Sequence, residues 1–218
     1  MVETVVVTGA DDALGAAIVR AFATEDRHLV LGGSDADALA RLAEDLADDG
    51  ATTTAQRANA RDEFDLERLM ETASRAGEGI DVVIPAAAVS HDAGEATPLS
   101  ETSYSAYDDT MRASARGVFA AITEALPHAT ADARVVVPVA GIDDPGQAGI
   151  AAVADAARVA IARSFADTVS VPVGAVAVGD LTPDAGDDAD EAADLIRWAV
   201  DVDPASLDGR VLTAADRD

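Results

Sequence analysis

The chain has 218 residues, of which 49% are hydrophobic and only 3% aromatic, enough for one large domain with a packed core. Its 41 acidic residues stand against 15 basic ones, and a formal net charge of −26 argues against nucleic acid or an anionic membrane surface as partner. There is no cysteine, hence no disulfide, thiol nucleophile or zinc-ribbon site, and no apolar run reaches the roughly 18 residues of a membrane span. No basic segment precedes the first apolar stretch, so no signal peptide is expected and a cytoplasmic location follows.

In chain order, strands are expected over residues 4–8, 28–31, 51–57, 81–84, 134–139, 171–178 and 210–213. Between them helices are expected over 13–24, 35–49, 63–76, 104–128, 149–168 and 188–200. Seven apolar, Val-rich strands alternating with six amphipathic helices imply an α/β protein with a parallel sheet covered on both faces. Right-handed crossovers make a doubly wound, Rossmann-type sheet the economical arrangement, and residues 1–218 read as a single domain. The acids fall on helix faces and turns (Asp35, Asp37, Glu44, Asp45, Asp48, Asp49), as a solvated shell requires, and not in one block. Every basic residue is arginine. Both features suit adaptation to molar salt, a halophilic setting in which self-repulsion is muted.

The first strand runs into Thr8-Gly9-Ala10-Asp11-Asp12-Ala13-Leu14-Gly15, a glycine turn opening a helix. Such a turn sets backbone N–H groups and the helix dipole against a phosphate, although a tight strand-to-helix turn explains it as well. Asp81-Val82-Val83-Ile84, Gly117-Val118-Phe119, Ala125-Leu126-Pro127, Arg134-Val135-Val136-Val137, Ala140-Gly141, Ala162-Arg163-Ser164-Phe165-Ala166 and Gly209-Arg210-Val211-Leu212 follow in order. In this order and spacing, over residues 3–213, the chain resembles the short-chain dehydrogenase/reductase family.

That resemblance implies an NAD(P)-binding oxidoreductase fold, with Thr8, Gly9, Leu14, Gly15, Ser34 and Asn59 at cofactor-binding positions. It also implies a Tyr-x-x-x-Lys pair, an upstream Ser and an Asn, and here the chain departs from the family. Pro138 takes the Ser place, Ala151 the Tyr, Asp155 the Lys and Ser114 the Asn. No lysine exists anywhere, and arginine does not replace it as a proton relay because guanidinium stays charged. Losing acid–base catalysis removes roughly 10²–10⁴ in rate. No catalytic residue is therefore assigned.

The cofactor signals are eroded as well. Ala13 stands at the middle glycine, Pro85-Ala86-Ala87-Ala88 at the family's N-N-A-G, Gly33-Ser34 where an acid or arginine reads the ribose, and Asp12 where NADP-binding members carry a base. A carboxylate about 8 Å from a phosphate costs on the order of 2 kcal/mol. NADP is thus disfavoured, NAD remains compatible, and no metal is implied, the three histidines lacking ligand spacing.

Of the remaining residues, Tyr104 and Tyr107 are expected as half-buried anchors, and Ser103 or Thr102 as a helix N-cap. Trp198 is expected in a core or interface, Asp143–Gly146 as a turn and His91 on a loop after the fourth strand. Only eight residues, 180–187, are left for a substrate lid.

The leading expectation is a catalytically degenerate homologue of the family, serving as a nucleotide-binding or scaffolding protein. One rival is an active NAD-dependent oxidoreductase using His91 or Tyr107 as proton donor. Another is a structural protein with no ligand. The resemblance implies a homo-oligomer, or a hetero-oligomer with an active relative, through the fourth and fifth helices and their Ala154, Ala156, Ala157 and Ala160.

Overall fold

The computed structural model describes residues 2–89, 98–141, 149–179 and 186–217, the side chains of 186 and 187 excepted. The expectations for His91, for Asp143–Gly146 and for the short lid segment lie outside the described residues.

Seven strands form one sheet: β1 (Glu3–Thr8), β2 (Arg27–Gly33), β3 (Thr52–Arg57), β4 (Ile80–Pro85), β5 (Ala129–Val139), β6 (Val173–Ala177) and β7 (Val211–Leu212). Their order is β3-β2-β1-β4-β5-β6-β7 and every pairing is parallel. Alternate strand residues enter opposite layers. Val5, Val7, Leu29 and Leu31 pack with α1 (Ala13–Phe22), α2 (Ala36–Asp48) and α7 (Gly186–Asp201). Val6, Val30, Val135 and Val137 face α3 (Glu63–Ala76), α5 (Ala115–Ala125) and α6 (Gly149–Ala166). This is the doubly wound arrangement expected from the sequence, with helices on both faces. Trp198 packs half-buried against the first layer, as an anchor should.

Three expectations about elements need correction. The helix expected over 104–128 is two: α4 (Tyr104–Ala113) and α5 meet at Ser114, whose ψ of −84° departs from helical values. Ser114 is fully buried, and its hydroxyl faces a cation from another helix. Tertiary contact, which propensity does not record, governs the break. Second, β5 begins at Ala129, five residues before the apolar run, because Ala129 pairs with Ile80. Third, a short helix not expected, α8 (Pro204–Leu207), is capped by Asp203 and precedes β7.

At the amino end of the sheet, Asp81 ties three strands together by accepting from Thr4 N at 2.7 Å and Thr130 Oγ1 at 2.7 Å. The opposite, carboxyl end holds the site. Between β1 and β4 the winding reverses, and in open α/β sheets ligands bind in the crevice at that point.

Candidate functional site

The first half of the site is the β1–α1 turn. Gly9 sits at φ +73°, and a Cβ there would stand 2.6 Å from Ala87 Cα, so only glycine lets the turn lie against the β4 exit. A Cβ on Gly15 would collide with the Gly9 carbonyl, so Gly15 too is required by close approach. Leu14 buries its side chain in the core and Thr8 is buried at the end of β1, which leaves their backbones to line the crevice. Asp12 precedes α1 without a side-chain cap bond. The first-turn N–H groups of α1 are therefore without a side-chain cap and aimed at the crevice. Ala13, at the middle glycine position, exposes its methyl at that end of the helix. Desolvation, and then the charge of Asp11, push the Asp12 carboxyl above its usual range.

At the end of β2, Ser34 is exposed, yet its groups are engaged within the chain. Asp11 Oδ2 accepts from Ser34 N at 2.8 Å, Ser34 Oγ at 2.9 Å and Asp35 N at 2.9 Å. Asp35 in turn caps α2, accepting from Asp37 N and Ala38 N at 3.0 Å each. Asn59, after β3, sits apart from this cluster. Its Oδ1 accepts from Arg61 N at 3.0 Å, and its own N–H donates to Asp65 at 3.0 Å. The acceptor that would meet an adenine amino group is thus already shared.

The second half lies between β4 and β5. Their pairing runs no further than Val83–Val135, and Pro85 and Pro138 lack N–H groups beyond it. Arg158 of α6, fully buried, fills the gap. Its Nη2 donates to Pro85 O at 2.6 Å, Nη1 to Ala87 O at 2.9 Å and Nε to Pro138 O at 2.9 Å. Nη1 also lies 3.4 Å from Ser114 Oγ. Desolvation lowers the guanidinium to about 10, with the Asp155 carboxylate opposing that fall, so Arg158 stays charged at neutral pH. Asp155, one turn earlier and also fully buried, accepts from Ala140 N at 3.1 Å.

Arg158 therefore gathers Ser114, Pro138 and Asp155, three of the four residues that the resemblance sets at catalytic positions. Ala151, the fourth, is half-buried near the start of α6. Sequence reasoning missed Arg158 and Asp11. A signal for Arg158 was present: Asp155 and Arg158 lie three apart on the helix face of buried Ala154 and Val159. At Ala88 the chain adopts φ +57°, a left-handed conformation that suits the glycine standing there in the family motif.

Tyr104 is 93% exposed and Tyr107 40%, so the first is no half-buried anchor: both stand on the outer face of α4. Ser103 does cap that helix, accepting from Ala106 N at 3.1 Å. A groove of about 650 Å³ on this outer face is lined by Asp108, Arg112, Arg116, Phe119 and Ile161, away from the crevice. Among the described residues no cluster of three potential metal ligands occurs, and no helix is long and apolar enough to cross a membrane.

Glycine turn, switch point and parallel order together define a dinucleotide-binding type of α/β fold. A family model described as short chain dehydrogenase matches residues 3–170, and the chain belongs to that family. Solved structures agree in fold. A dehydrogenase/reductase from Sinorhizobium meliloti superposes with a TM-score of 0.82 at 21% identity, covering 97% of this chain and 92% of that one. A short chain dehydrogenase from Burkholderia cenocepacia in complex with NADP gives 0.81 at 19%, covering 97% and 95%. A short-chain dehydrogenase/reductase from Serratia marcescens gives 0.83 at 19%, covering 97% and 95%. Glycine betaine reductase ATRR of Emericella nidulans is 27% identical over 122 residues, 56% of this chain but only 9% of that protein's length.

Proposed function

We propose that this chain is a nucleotide-binding or scaffolding member of the short chain dehydrogenase family, no longer running the family's Tyr–Lys chemistry. One observation carries the reading. Where a proton relay would need mobile, tunable groups, Arg158 is buried with its donors fixed on the carbonyls of Pro85, Ala87 and Pro138. A guanidinium so held neither gives nor takes a proton at neutral pH. The sequence supplies Ala151 and Asp155 at the Tyr and Lys positions, and neither side chain supplies the relay. The active-oxidoreductase alternative rests on Tyr107, exposed on the outer face of α4, and on His91.

The β1–α1 turn still fits a dinucleotide. Gly9, Gly15 and the uncapped start of α1 would hold the pyrophosphate on main-chain N–H groups, and such a cofactor would supply hydride chemistry. Members of the family bind NAD(P), and the Burkholderia relative is described with NADP. For this chain we favour NAD, because Asp11 and Asp12 flank the phosphate side of the crevice.

The seven strands in one sheet support reading residues 1–218 as one domain, and the net charge of −26 supports a salt-rich, cytoplasmic setting. Self-association through α5 and α6 is supported by Phe119, 51% exposed and 5.8 Å from the Phe165 ring, beside exposed Ala156 and Ala160. Ala154 is buried inside the chain and takes no part in this surface.

The test is calorimetric titration with NAD, NADH, NADPH and ATP in molar KCl, followed by a hydride-transfer screen. Binding of NAD without turnover is expected. Turnover of any carbonyl or alcohol substrate at a rate typical of the family sinks the degenerate reading, and no binding at all sinks the nucleotide reading. Size exclusion in the same buffer should give an oligomer that Phe119→Asp disperses.

A further inference from the structure

The crevice contains a carboxylate bound in the manner of a ligand. Asp11 leaves the β1–α1 turn, crosses to the end of β2 and puts a single oxygen, Oδ2, on three donors: Ser34 N, Ser34 Oγ and Asp35 N. Its other oxygen lies flat on Gly33, where any Cβ would collide with it. The two elements are separated by 23 residues in sequence, so the contact is tertiary and not a local turn. Three converging donors on one anionic oxygen, with a glycine clearing the approach, make an oxyanion seat that the chain fills itself.

In a dinucleotide fold the substituent on the ribose 2′ position falls at the end of the second strand, where an acid reads a hydroxyl or a base a phosphate. At that end of β2 this chain has Gly33 and Ser34, and the acid that follows, Asp35, spends its carboxylate on capping α2. We propose that Asp11 is the specificity-determining residue of the cofactor site: delivered from the neighbouring loop, its carboxylate occupies the seat that a 2′-phosphate would need. The inference rests on the dinucleotide reading above and adds to it the group that selects. A 2′-phosphate meets a filled seat and a like charge together. A 2′-hydroxyl meets a carboxylate already fixed in place by three donors, none of which falls on its Oδ1.

Occupancy and charge are separable. Asp11→Asn keeps a carbonyl oxygen able to accept from the same three donors but removes the charge. Asp11→Ala vacates the seat. If occupancy decides, the alanine variant should gain NADP affinity by about tenfold or more relative to NAD, a scale set by charge-assisted hydrogen bonds, and the asparagine variant much less.

The experiment is calorimetric titration of wild type, Asp11→Ala and Asp11→Asn with NAD and NADP in molar KCl, each variant first shown by thermal melting to fold. Wild type should prefer NAD, and the preference should collapse in Asp11→Ala. NAD binding with an NAD-to-NADP ratio unchanged in Asp11→Ala, or equal in wild type, overturns this inference and leaves the dinucleotide reading standing. An equal gain in both variants overturns occupancy in favour of charge alone. No binding of either cofactor by any of the three proteins removes the dinucleotide reading and this inference with it.

Discussion

Replacing Arg158 by methionine keeps the apolar stem of the side chain and removes the guanidinium. The carbonyls of Pro85, Ala87 and Pro138 then lose their donors in a region where neither proline offers an N–H and β4 no longer pairs with β5. Each orphaned carbonyl costs about 1–3 kcal/mol if nothing else reaches it, and the buried Asp155 carboxylate loses the nearby Arg158 charge. Relaxation and water entry recover part of this, and removing a buried charge with its hydrogen bonds typically costs about 3–5 kcal/mol. At roughly 2–4 °C per kcal/mol for a chain of this size, the melting temperature should fall by about 6–20 °C. The assay is urea unfolding at fixed KCl, repeated at low and at molar salt. The loss should hardly change with salt, because buried pairs are screened far less than exposed ones such as Arg116–Glu63. The double variant Asp155→Leu/Arg158→Met should sit closer to wild type than Arg158→Met alone, giving a coupling energy of about 2 kcal/mol or more. A loss below about 1 kcal/mol, or strict additivity, would refute the argument that Arg158 cross-links the ends of β4 and β5.

Three further outcomes follow from single residues. Ala88→Gly should stabilise the fold by about 0.5–1 kcal/mol, since relief of the left-handed strain exceeds the added backbone entropy, and a melting curve reads it. Ala13→Gly should tighten NAD several-fold by letting the pyrophosphate approach the helix start, and titration calorimetry checks it. The Asp12 carboxyl is held above its usual range by burial first and Asp11 second, so the folded state binds that proton more tightly than the unfolded one. The associated stability is present at acid pH and lost as pH rises through the raised folded value. Asp12→Asn should therefore be more stable than wild type at neutral pH, with the difference closing on acidification. A gap that widens in acid contradicts the sign.

Much of the fold was legible because it rests on local pattern. Val5, Val6 and Val7 alternate between the two layers, and the apolar strands they typify read as covered on both sides. Ser103 could be read as a cap from its place ahead of α4, and Gly9 and Gly15 as turn glycines from their spacing, because their partners lie within a few residues or in the adjoining strand. What escaped rests on contacts far apart in sequence. The break at Ser114 answers to Arg158, 44 residues on, and the state of Ser34 to Asp11, 23 residues back. Helical periodicity gave 104–128 as continuous since no proline or glycine stands at Ser114 itself, while Pro127 falls in a 3-10 turn, Leu126–His128, that closes the segment. Arg158, fully buried, was marked in the sequence only by its place three residues after Asp155 on an apolar helix face, and the carbonyls it meets lie far away along the chain.

The opposite charges of Asp155 and Arg158, both buried and three residues apart on α6, also restrict the substitutions this sequence has open to it. Installing a lysine at 155 alone would bury two cations one helical turn apart, and removing Arg158 alone would take away a charge that favours the carboxylate. Each single step is expected to cost stability, whichever comes first. A tyrosine placed at 151 would complete no Tyr–Lys pair until both are done. The cluster thus works as a lock: substitutions on the surface around it cost little, while building a Tyr–Lys pair here requires coordinated change at positions 151, 155 and 158.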